Sequence, residues 1–370
     1  MGFGLFLSEF RNDFTLSTGM AGLISSLGFL GMLVGLVAAY ATLARAGPRP
    51  PVLLGLGLAT AGTALVSGAT GLPMLTLGIV LAMASAGFAW TPFNNIVSRR
   101  LPDETRPSAL AIISTGTSLG IAAAGATAIA VSLIGLPWRM AWAAFAAASA
   151  MALLANITAL REPSGPLGAS TPAAPWASLL HGSAMPLYAI ALSFGTTTAI
   201  YFSFAADRIV QAGGVPGMPS GSAPAILFLC YGLFGLLGLA TGRLKGIIGL
   251  SALLRSLLVA SALSLTLVAL VPNAWGGLVL SAGLQGLYVM MMSAVLAFWS
   301  ERLFPHMPAR SFTAALIAVA LGSVLGPAIA GTVSDIWGPE VMFLATAALS
   351  ITTLPVILPQ LVQERPGPAV

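Results

Sequence analysis

The sequence predicts an all-α, polytopic membrane protein, and three observations carry that prediction. Of the 370 residues, 57% are apolar and only 7% are charged, whereas charged residues make up about 25% of an average soluble chain. The mean hydropathy is +0.96. The apolar residues form long runs, typical of membrane-spanning helices, without the alternating ten-residue segments of a transmembrane barrel. This composition excludes a soluble globular protein, a disordered chain and a coiled coil.

Eleven apolar runs are long enough to span a bilayer, which requires about 20 mostly apolar residues. Each run is bounded by charge, Pro or Gly, and the loops between runs are mostly short. The predicted spans are 18–40, 52–70, 72–98, 107–134, 138–160, 184–206, 223–242, 248–271, 274–300, 310–334 and 339–360.

The first eight residues form a shorter apolar run. As a helix they would extend only about 12 Å, less than half of a hydrocarbon core about 30 Å thick. The run has no basic leader and reaches Glu9 too early for a signal peptide. We therefore expect a half helix whose beginning is missing, followed by an outer loop at 9–17. The predicted fold has eleven full spans plus this half helix.

Lysine and arginine give the orientation, because the cytoplasmic loops of membrane proteins are enriched in both. With the 9–17 loop outside and the spans alternating, twelve of the 15 basic residues fall on the inner side and three outside. The ten acidic residues divide equally. The net charge of +5 therefore indicates topology and not nucleic-acid binding, which would need clustered basic and aromatic residues. The C-terminus is expected inside.

The chain repeats itself at an offset of about 200 residues. The stretches 116–125 and 322–331 share Gly, Leu, Gly, Ala, Ala and Gly at identical spacing. Residues 98–102 and 300–305 share Ser, Arg, Leu and Pro in the same order. The copies are parallel, because an even number of spans separates them.

A stretch rich in Pro, Gly and Ser lies between the copies at 161–183. Its composition is typical of a linker, and the orientation places it in the cytoplasm. The sequence therefore predicts an N-terminal half at 1–160 and a C-terminal half at 184–370. Parallel halves around a central site are a known transporter architecture.

This organisation resembles the major facilitator superfamily over essentially the whole chain. Two six-helix halves, a cytoplasmic linker and an inner C-terminus all fit. The segment from Glu9 to Ser17 is similar to the family's outer loop after its first helix, and Trp138-Arg139 to the start of its sixth helix. Residues 322–331, with Pro327, are similar to its glycine-rich motif. The general character is similar to YbfB/YjiJ-like bacterial members.

Three features depart from the family pattern. In the inner loop after the second helix, Arg45, Gly47 and Arg49 match the family's basic motif, but Ala44 occupies the position of its Asp. The fourth helix has no Arg before Gly87, although many proton antiporters carry one there. The first helix is incomplete. The fold prediction survives these departures, whereas proton antiport does not follow from them.

The resemblance implies a substrate cavity between the halves, lined by the first and fourth helices of each half at 1–13, 72–98, 184–206 and 274–300. These helices contain almost no charge. An ionic substrate would favour a buried counter-charge, so we expect an uncharged or amphipathic one. The candidate contacts are polar side chains in these apolar helices: Asn94, Asn95, Thr197, Tyr201, Gln285 and Tyr288.

Some of these candidates have a structural alternative. Asn94 and Asn95 could instead tie their helix to a neighbour, and a Thr in a membrane helix can bond to its own backbone. Gln285 is the only strongly polar side chain near the middle of its span. It shares a helix face with Tyr288, three residues later.

Glu9 and Asp207 lie at equivalent outer ends of the first helix of each half and are the candidates for proton coupling. The resemblance implies H⁺ as the driving ion. The alternative is that both are interfacial charges at helix ends, with Asp207 beside Arg208. Gating is assigned to inner arginines, glycines of the repeated stretches and a proline kink: Arg45, Arg49, Pro92, Arg100, Gly120, Arg243, Arg302 and Gly326.

The sequence therefore predicts a secondary transporter for a small solute, acting by alternating access in the bacterial cytoplasmic membrane. The partners expected are the substrate, the lipid bilayer and H⁺, with no nucleic acid, and the protein is expected to be a monomer. One Cys, two His and no phosphate-binding loop predict no metal, no cofactor and no ATP hydrolysis. The alternatives are a non-transporting membrane sensor, a relative that binds a partner protein, and an enzyme, for which the spans offer no nucleophile set.

Overall fold

The computed structural model describes residues 2–100, 106–160, 179, 182–304, 307–357 and 362, without the side chains of 90–100, 106–111, 114, 183, 220, 308 and 309. Regular structure in these residues is helical throughout. The helices are α1 (Gly2–Leu5), α2 (Leu7–Phe14), α3 (Thr18–Ala46), α4 (Arg49–Ser67), α5 (Leu72–Arg100), α6 (Arg106–Leu133), α7 (Trp138–Ala159), α8 (Met185–Gln211), α9 (Ala223–Gly235), α10 (Thr241–Ile248), α11 (Leu250–Leu270), α12 (Trp275–Leu303) and α13 (Pro308–Thr352).

The described part of the chain has ten segments long and apolar enough to cross a membrane. Two of them are composite. A 3₁₀ turn joins α9 and α10 into one span, whereas the 47-residue segment Arg310–Val356 turns sharply at Gly338, where φ is 87°. Glycine suits this left-handed φ because it has no Cβ. The turn separates the predicted spans 310–334 and 339–360, and each of the eleven predicted spans corresponds to helix among the described residues.

Two of the predicted boundaries that move lie at the same end of the bundle. The loop predicted at 9–17 is helical as far as Phe14, and α8 continues to Gln211 instead of ending at 206. Charged residues caused both errors, because a charge in an apolar run was read as the start of a loop. In the structure, Asp13 and Asp207 each accept a hydrogen bond from an arginine. Paired charges are tolerated at the edge of a span.

The helix contacts are grouped by the two predicted halves, a division that stays a prediction. In the N-terminal half, α5 packs against α3 and α4, and α4 against α7; in the C-terminal half, α13 packs against α8 and α11, and α12 against α9 and α11. The halves meet where α3 packs on α13, α6 on α9, and α1 and α2 on α8. The two glycine-rich stretches lie on α6 and α13, which are equivalent members of these pairs, as the repeat predicts.

Small residues permit this close approach, as is usual between membrane helices. A Cβ added to Gly22 of α3 would overlap the carbonyl oxygen of Pro327 in α13. In the second pair, a Cβ added to Gly125 of α6 would lie 2.6 Å from the carbonyl oxygen of Ala225 in α9. Larger side chains at these positions would hold the two halves apart.

The two ends of the bundle differ in charge, and we name them accordingly. The acidic end carries three aspartates at or near helix ends, which are Asp13, Asp207 and Asp335. The basic end carries arginines exposed near the ends of α3, α10 and α12, which are Arg45, Arg243 and Arg302.

Candidate functional site

Polar side chains of α8 and α12 meet inside the C-terminal half. The Thr197 hydroxyl lies 3.3 Å from the Tyr288 hydroxyl, and the Tyr201 hydroxyl lies 3.0 Å from the Ser281 hydroxyl. All four side chains are buried. Thr197 and Tyr201 are four residues apart, so one face of α8 directs both toward α12. Thr197 also donates to the Ser193 carbonyl of its own helix, so the backbone-bonded alternative and the contact with Tyr288 coexist.

Gln285 lies on the same face of α12, one turn after Ser281 and one turn before Tyr288. The two contacts with α8 therefore bracket it. Gln285 is 0% exposed, and neither its Oε1 nor its Nε2 has a hydrogen-bond partner among the described residues. An unsatisfied buried polar group costs about 1–3 kcal/mol. Such a group in a native protein calls for an explanation such as a ligand, a water or a catalytic role.

Tyr231 of α9 belongs to the same cluster and was missed by the sequence reasoning. Its ring centroid lies 6.3 Å from that of Tyr201 and 4.9 Å from that of Phe202. Its hydroxyl is buried and has no partner in the described part of the chain. The sequence contains five tyrosines, and three of the four in the spans of the C-terminal half converge here. We call this cluster the polar cage and define it as Thr197, Tyr201, Tyr231, Gln285 and Tyr288.

Asp207 lies one turn inside the end of α8 and bridges the two halves. Its Oδ2 accepts a hydrogen bond from Arg11 Nη1 at 2.7 Å and another from Gln211 Nε2 at 2.6 Å. Arg11 Nη1 also donates to Thr18 Oγ1 at 3.2 Å. Asp207 is 3% exposed. Its ion pair with Arg11 is therefore largely withdrawn from water, and sequence reasoning did not identify Arg11 as its partner.

The other charged groups named with Asp207 make different contacts. Arg208 donates to the carbonyl of Ala269 at 3.1 Å, within the C-terminal half. Glu9 accepts a hydrogen bond from the Ser8 hydroxyl at 2.8 Å and is partly buried. Asp207 therefore pairs across the halves and not with the neighbouring Arg208.

Three further hydrogen bonds join the halves toward the acidic end. They run from Gly19 N to Asp335 Oδ2 (2.9 Å), from Ala328 N to Ser26 Oγ (3.0 Å) and between the hydroxyls of Ser25 and Ser203. Gly19 lies in the first turn of α3, so Asp335 places a negative charge at the positive end of the helix dipole. Together with the Arg11 pair, these contacts close the acidic end.

Two small cavities lie where the halves meet. One of about 20 Å³ has Phe3, Ser25, Phe29, Ile79, Met83 and Phe202 in its lining. The other, of about 10 Å³, adjoins Asp207 and has Thr18, Gln211 and Ser334 in its lining. Each has room for about one water molecule. Neither has room for a solute, so solute entry at this interface requires the halves to separate.

The gating candidates lie mostly at the basic end. Arg45, Arg243 and Arg302 are exposed there, and Arg49 is half-buried at the start of α4. Asn94, Asn95, Pro92 and Arg100 belong to α5, but their side chains lie outside the described residues. A Cβ on Gly326 would lie 3.1 Å from Thr196 of α8, whereas Gly120 has no described neighbour within 4 Å. The gating roles of all these residues stay predictions.

The chemistry available in the cage is hydrogen bonding without charge. The cage consists of four hydroxyls and one amide, together with the aromatic rings of its tyrosines. Within the described residues, no group of three or more His, Cys, Asp or Glu side chains could hold a metal ion. The arrangement suits the binding of an uncharged solute.

Comparison with known protein families assigns the chain to one of them. Residues 1–250 match the sequence profile of the Major Facilitator Superfamily, and these make up more than half of the 370 residues. The protein therefore belongs to the major facilitator superfamily. A search of curated protein sequences finds no match.

Solved transporters share the fold. A variant of the nucleoside transporter NupG superposes with a TM-score of 0.76 at 14% identity, over 96% of this chain and 94% of that one. A POT family transporter in complex with 5-aminolevulinic acid gives 0.75 at 14% identity, over 94% and 89%. A bacterial homologue of the human lysosomal transporter Spinster, inward-facing and occupied, gives 0.73 at 18% identity, over 99% and 94%. The narrower resemblance to YbfB/YjiJ-like members stays a prediction.

Proposed function

We propose that this protein is a secondary transporter that moves a small uncharged or amphipathic solute across the bacterial cytoplasmic membrane by alternating access. The observation that carries the proposal is the polar cage, in which the amide of Gln285 is buried, uncharged and without a hydrogen-bond partner among the described residues. Membership of a transporter family and the likeness to three solved transporters support it.

The orientation of the chain is part of the proposal. The excess of Lys and Arg favours the basic end as the cytoplasmic side, with the C-terminus inside. The acidic end would then face outward, and its inter-half contacts would close the outer side of the transporter. The halves would rock about the central site, opening one end as the other closes.

Proton coupling through Asp207 is the second part of the proposal. A proton on Asp207 would neutralise the carboxylate that holds Arg11, and so loosen the ion pair between the halves. Glu9, two residues before Arg11 on the same short helix, is the second candidate proton carrier. Proton binding would thereby favour the state in which the acidic end opens.

The experiment starts with a thermal-shift screen of the purified protein against uncharged and amphipathic solutes. Ligand at about 100 times its dissociation constant stabilises a protein by about 2.7 kcal/mol. Each hit is then tested in proteoliposomes for counterflow and for uptake driven by a proton gradient. Counterflow is expected, and Asp207→Asn should abolish only the dependence on the gradient. Unchanged proton-driven uptake in Asp207→Asn would remove Asp207 from the mechanism.

A non-transporting membrane sensor is the second candidate. Ala44 at the position of the family's motif Asp favours it, because that position belongs to a gating motif in the family. Hits that bind tightly and show no counterflow would support this sensor in place of the transporter.

A further inference from the structure

We propose that the polar cage recognises the flat edge of an uncharged solute that carries a hydrogen-bond donor beside an acceptor, as primary amides, lactams and nucleobases do. Gln285 and Tyr231 would make the hydrogen bonds. The inference rests on the proposed transport function, since it names the class of solute that the protein would carry.

Buried polar atoms without a hydrogen-bond partner are concentrated in the polar cage. Six buried side-chain nitrogen and oxygen atoms lack a hydrogen-bond partner among the described residues. Three of the six lie in this one cluster: Oε1 and Nε2 of Gln285 and the hydroxyl of Tyr231. The cage therefore concentrates unmet hydrogen-bonding capacity in one place, as a binding site without its ligand does.

The chemistry of an amide selects the ligand class. Gln285 presents a donor and an acceptor side by side in one plane, and such a pair is complemented by a neighbouring acceptor and donor, as when Gln reads adenine. A carboxylate or an ammonium group would satisfy only one of the two atoms. It would also be buried without a counter-charge in the cage, which is costly. A neutral solute with both functions on one edge leaves neither amide atom unpaired.

The walls of the cage favour a flat solute. Tyr231 packs against Tyr201 and Phe202, and the ring of Tyr288 meets that of Phe194 edge-on at 5.4 Å. Aromatic faces bind planar rings by stacking. Phe202 also borders the 20 Å³ cavity between the halves, so displacement of the Phe202–Tyr231 pair would connect the interface to the cage when the halves separate.

A matched set of small probes tests this class of solute on the purified protein by thermal shift. Benzamide has the ring, the donor and the acceptor. Methyl benzoate lacks the donor, cyclohexanecarboxamide lacks the flat ring, and benzoate is charged. We expect benzamide to raise the melting temperature, and each other probe to need at least about a tenfold higher concentration for the same shift, the ratio that corresponds to 1.4 kcal/mol.

Variants of Gln285 and Tyr231 test whether benzamide binds at the polar cage. Gln285→Leu should remove the preference for benzamide over methyl benzoate. Tyr231→Phe, which loses one oxygen atom, should weaken the binding of benzamide about three- to tenfold. Asn156→Leu is the matched control, because that amide lies in α7 and donates to the carbonyl of Ala152. It should leave the benzamide response unchanged.

The outcomes separate this inference from the proposed function. No shift with benzamide, an equal shift with methyl benzoate, or an unchanged response in both cage variants would overturn the ligand class. Counterflow of a solute without a donor–acceptor edge would then leave transport standing. If benzamide binding depends on Gln285 but the protein shows no counterflow, transport is refuted and the proposed class of ligand still holds.

Discussion

Arg11 donates a 2.7 Å hydrogen bond to Asp207 across the two halves of the protein, from α2 to α8. Asp335 adds a contact of a different kind, from α13 to the first turn of α3. One contact is an ion pair between side chains, and the other joins a carboxylate to a helix end. A transport cycle that opens the acidic end must break both.

The ion pair should stabilise the closed acidic end. Breaking a buried ion pair by removing one partner costs about 3–5 kcal/mol. Because Arg11 is partly exposed, we expect its removal to cost about 3 kcal/mol or less. In a Cys230→Ala background, Ser25→Cys and Ser203→Cys should form a disulfide readily, because the two native hydroxyls touch. Arg11→Gln should slow its formation at least about tenfold.

Arg139→Gln is the control for this measurement, because Arg139 pairs with Asp13 at 2.9 Å within the N-terminal half. It should leave the disulfide rate nearly unchanged. The double variant Arg11→Asp with Asp207→Arg, which exchanges the two charges, should recover part of the rate of disulfide formation. Equal slowing in Arg11→Gln and Arg139→Gln would show that the Arg11 pair has no special role between the halves.

The Asp335 contact predicts a separable effect at the start of α3. Asp335→Ala removes an acceptor for Gly19 and a charge worth about 0.3–1 kcal/mol at a helix N-terminus, so it should lower both the melting temperature and the disulfide rate. Ser17→Ala removes the cap of the same helix, where the Ser17 hydroxyl accepts from Met20, at a cost of about 1 kcal/mol. Because that cap lies within one half, Ser17→Ala should lower the melting temperature alone. A lower disulfide rate in Ser17→Ala would contradict this assignment.

The unsatisfied amide of Gln285 predicts a variant that gains stability. Gln285→Leu replaces a buried amide without partners by an apolar group of similar size, which should raise the free energy of unfolding by about 1–3 kcal/mol. Gln211→Leu is the contrasting change, because Gln211 donates to Asp207 at 2.6 Å, and it should destabilise. Thermal unfolding in detergent measures both. A fall in stability in Gln285→Leu would mean that the amide has a partner in the folded protein.

Much of the architecture could be predicted from the sequence, for a physical reason. A bilayer requires runs of about 20 apolar residues, and such runs are visible without knowledge of packing. The glycine-rich repeats at 116–125 and 322–331 also indicated the halves, since helices that approach closely require small residues at fixed spacing. The repeat predicted two helices in equivalent positions, and α6 and α13 are so placed.

Contacts between residues far apart in the chain could not be predicted from the sequence. Asp207 was singled out, but its partner Arg11 lies 196 positions away, and no local spacing reveals such a pair. Charges at span ends were read as loops, because what permits them to stay helical is pairing with arginines far away in the sequence, as Asp13 pairs with Arg139 and Asp207 with Arg11. Gln285 and Tyr288 were found as polar residues in an apolar run, whereas Tyr231 was passed over, since an isolated tyrosine in a span has no local pattern.

The contact between α6 and α9 yields a last prediction, with its control on the same helix. A Cβ on Gly125 would lie 2.6 Å from the Ala225 carbonyl oxygen and 2.7 Å from the Leu229 nitrogen, while Gly120 has no described neighbour within 4 Å. Gly125→Leu should therefore force the halves apart and cost about 1–3 kcal/mol, as overpacking does. Gly120→Leu should be tolerated in this conformation.

Thermal unfolding and the disulfide between positions 25 and 203 together measure the outcome. Gly125→Leu should lower both the melting temperature and the disulfide rate, because α6 with α9 and α3 with α13 close the same interface. Equal behaviour of the two leucine variants would mean that the α6–α9 crossing does not limit closure. If Gly125→Leu lowered stability but left the disulfide rate unchanged, the two helix pairs would move independently. The halves would then not rock as rigid bodies.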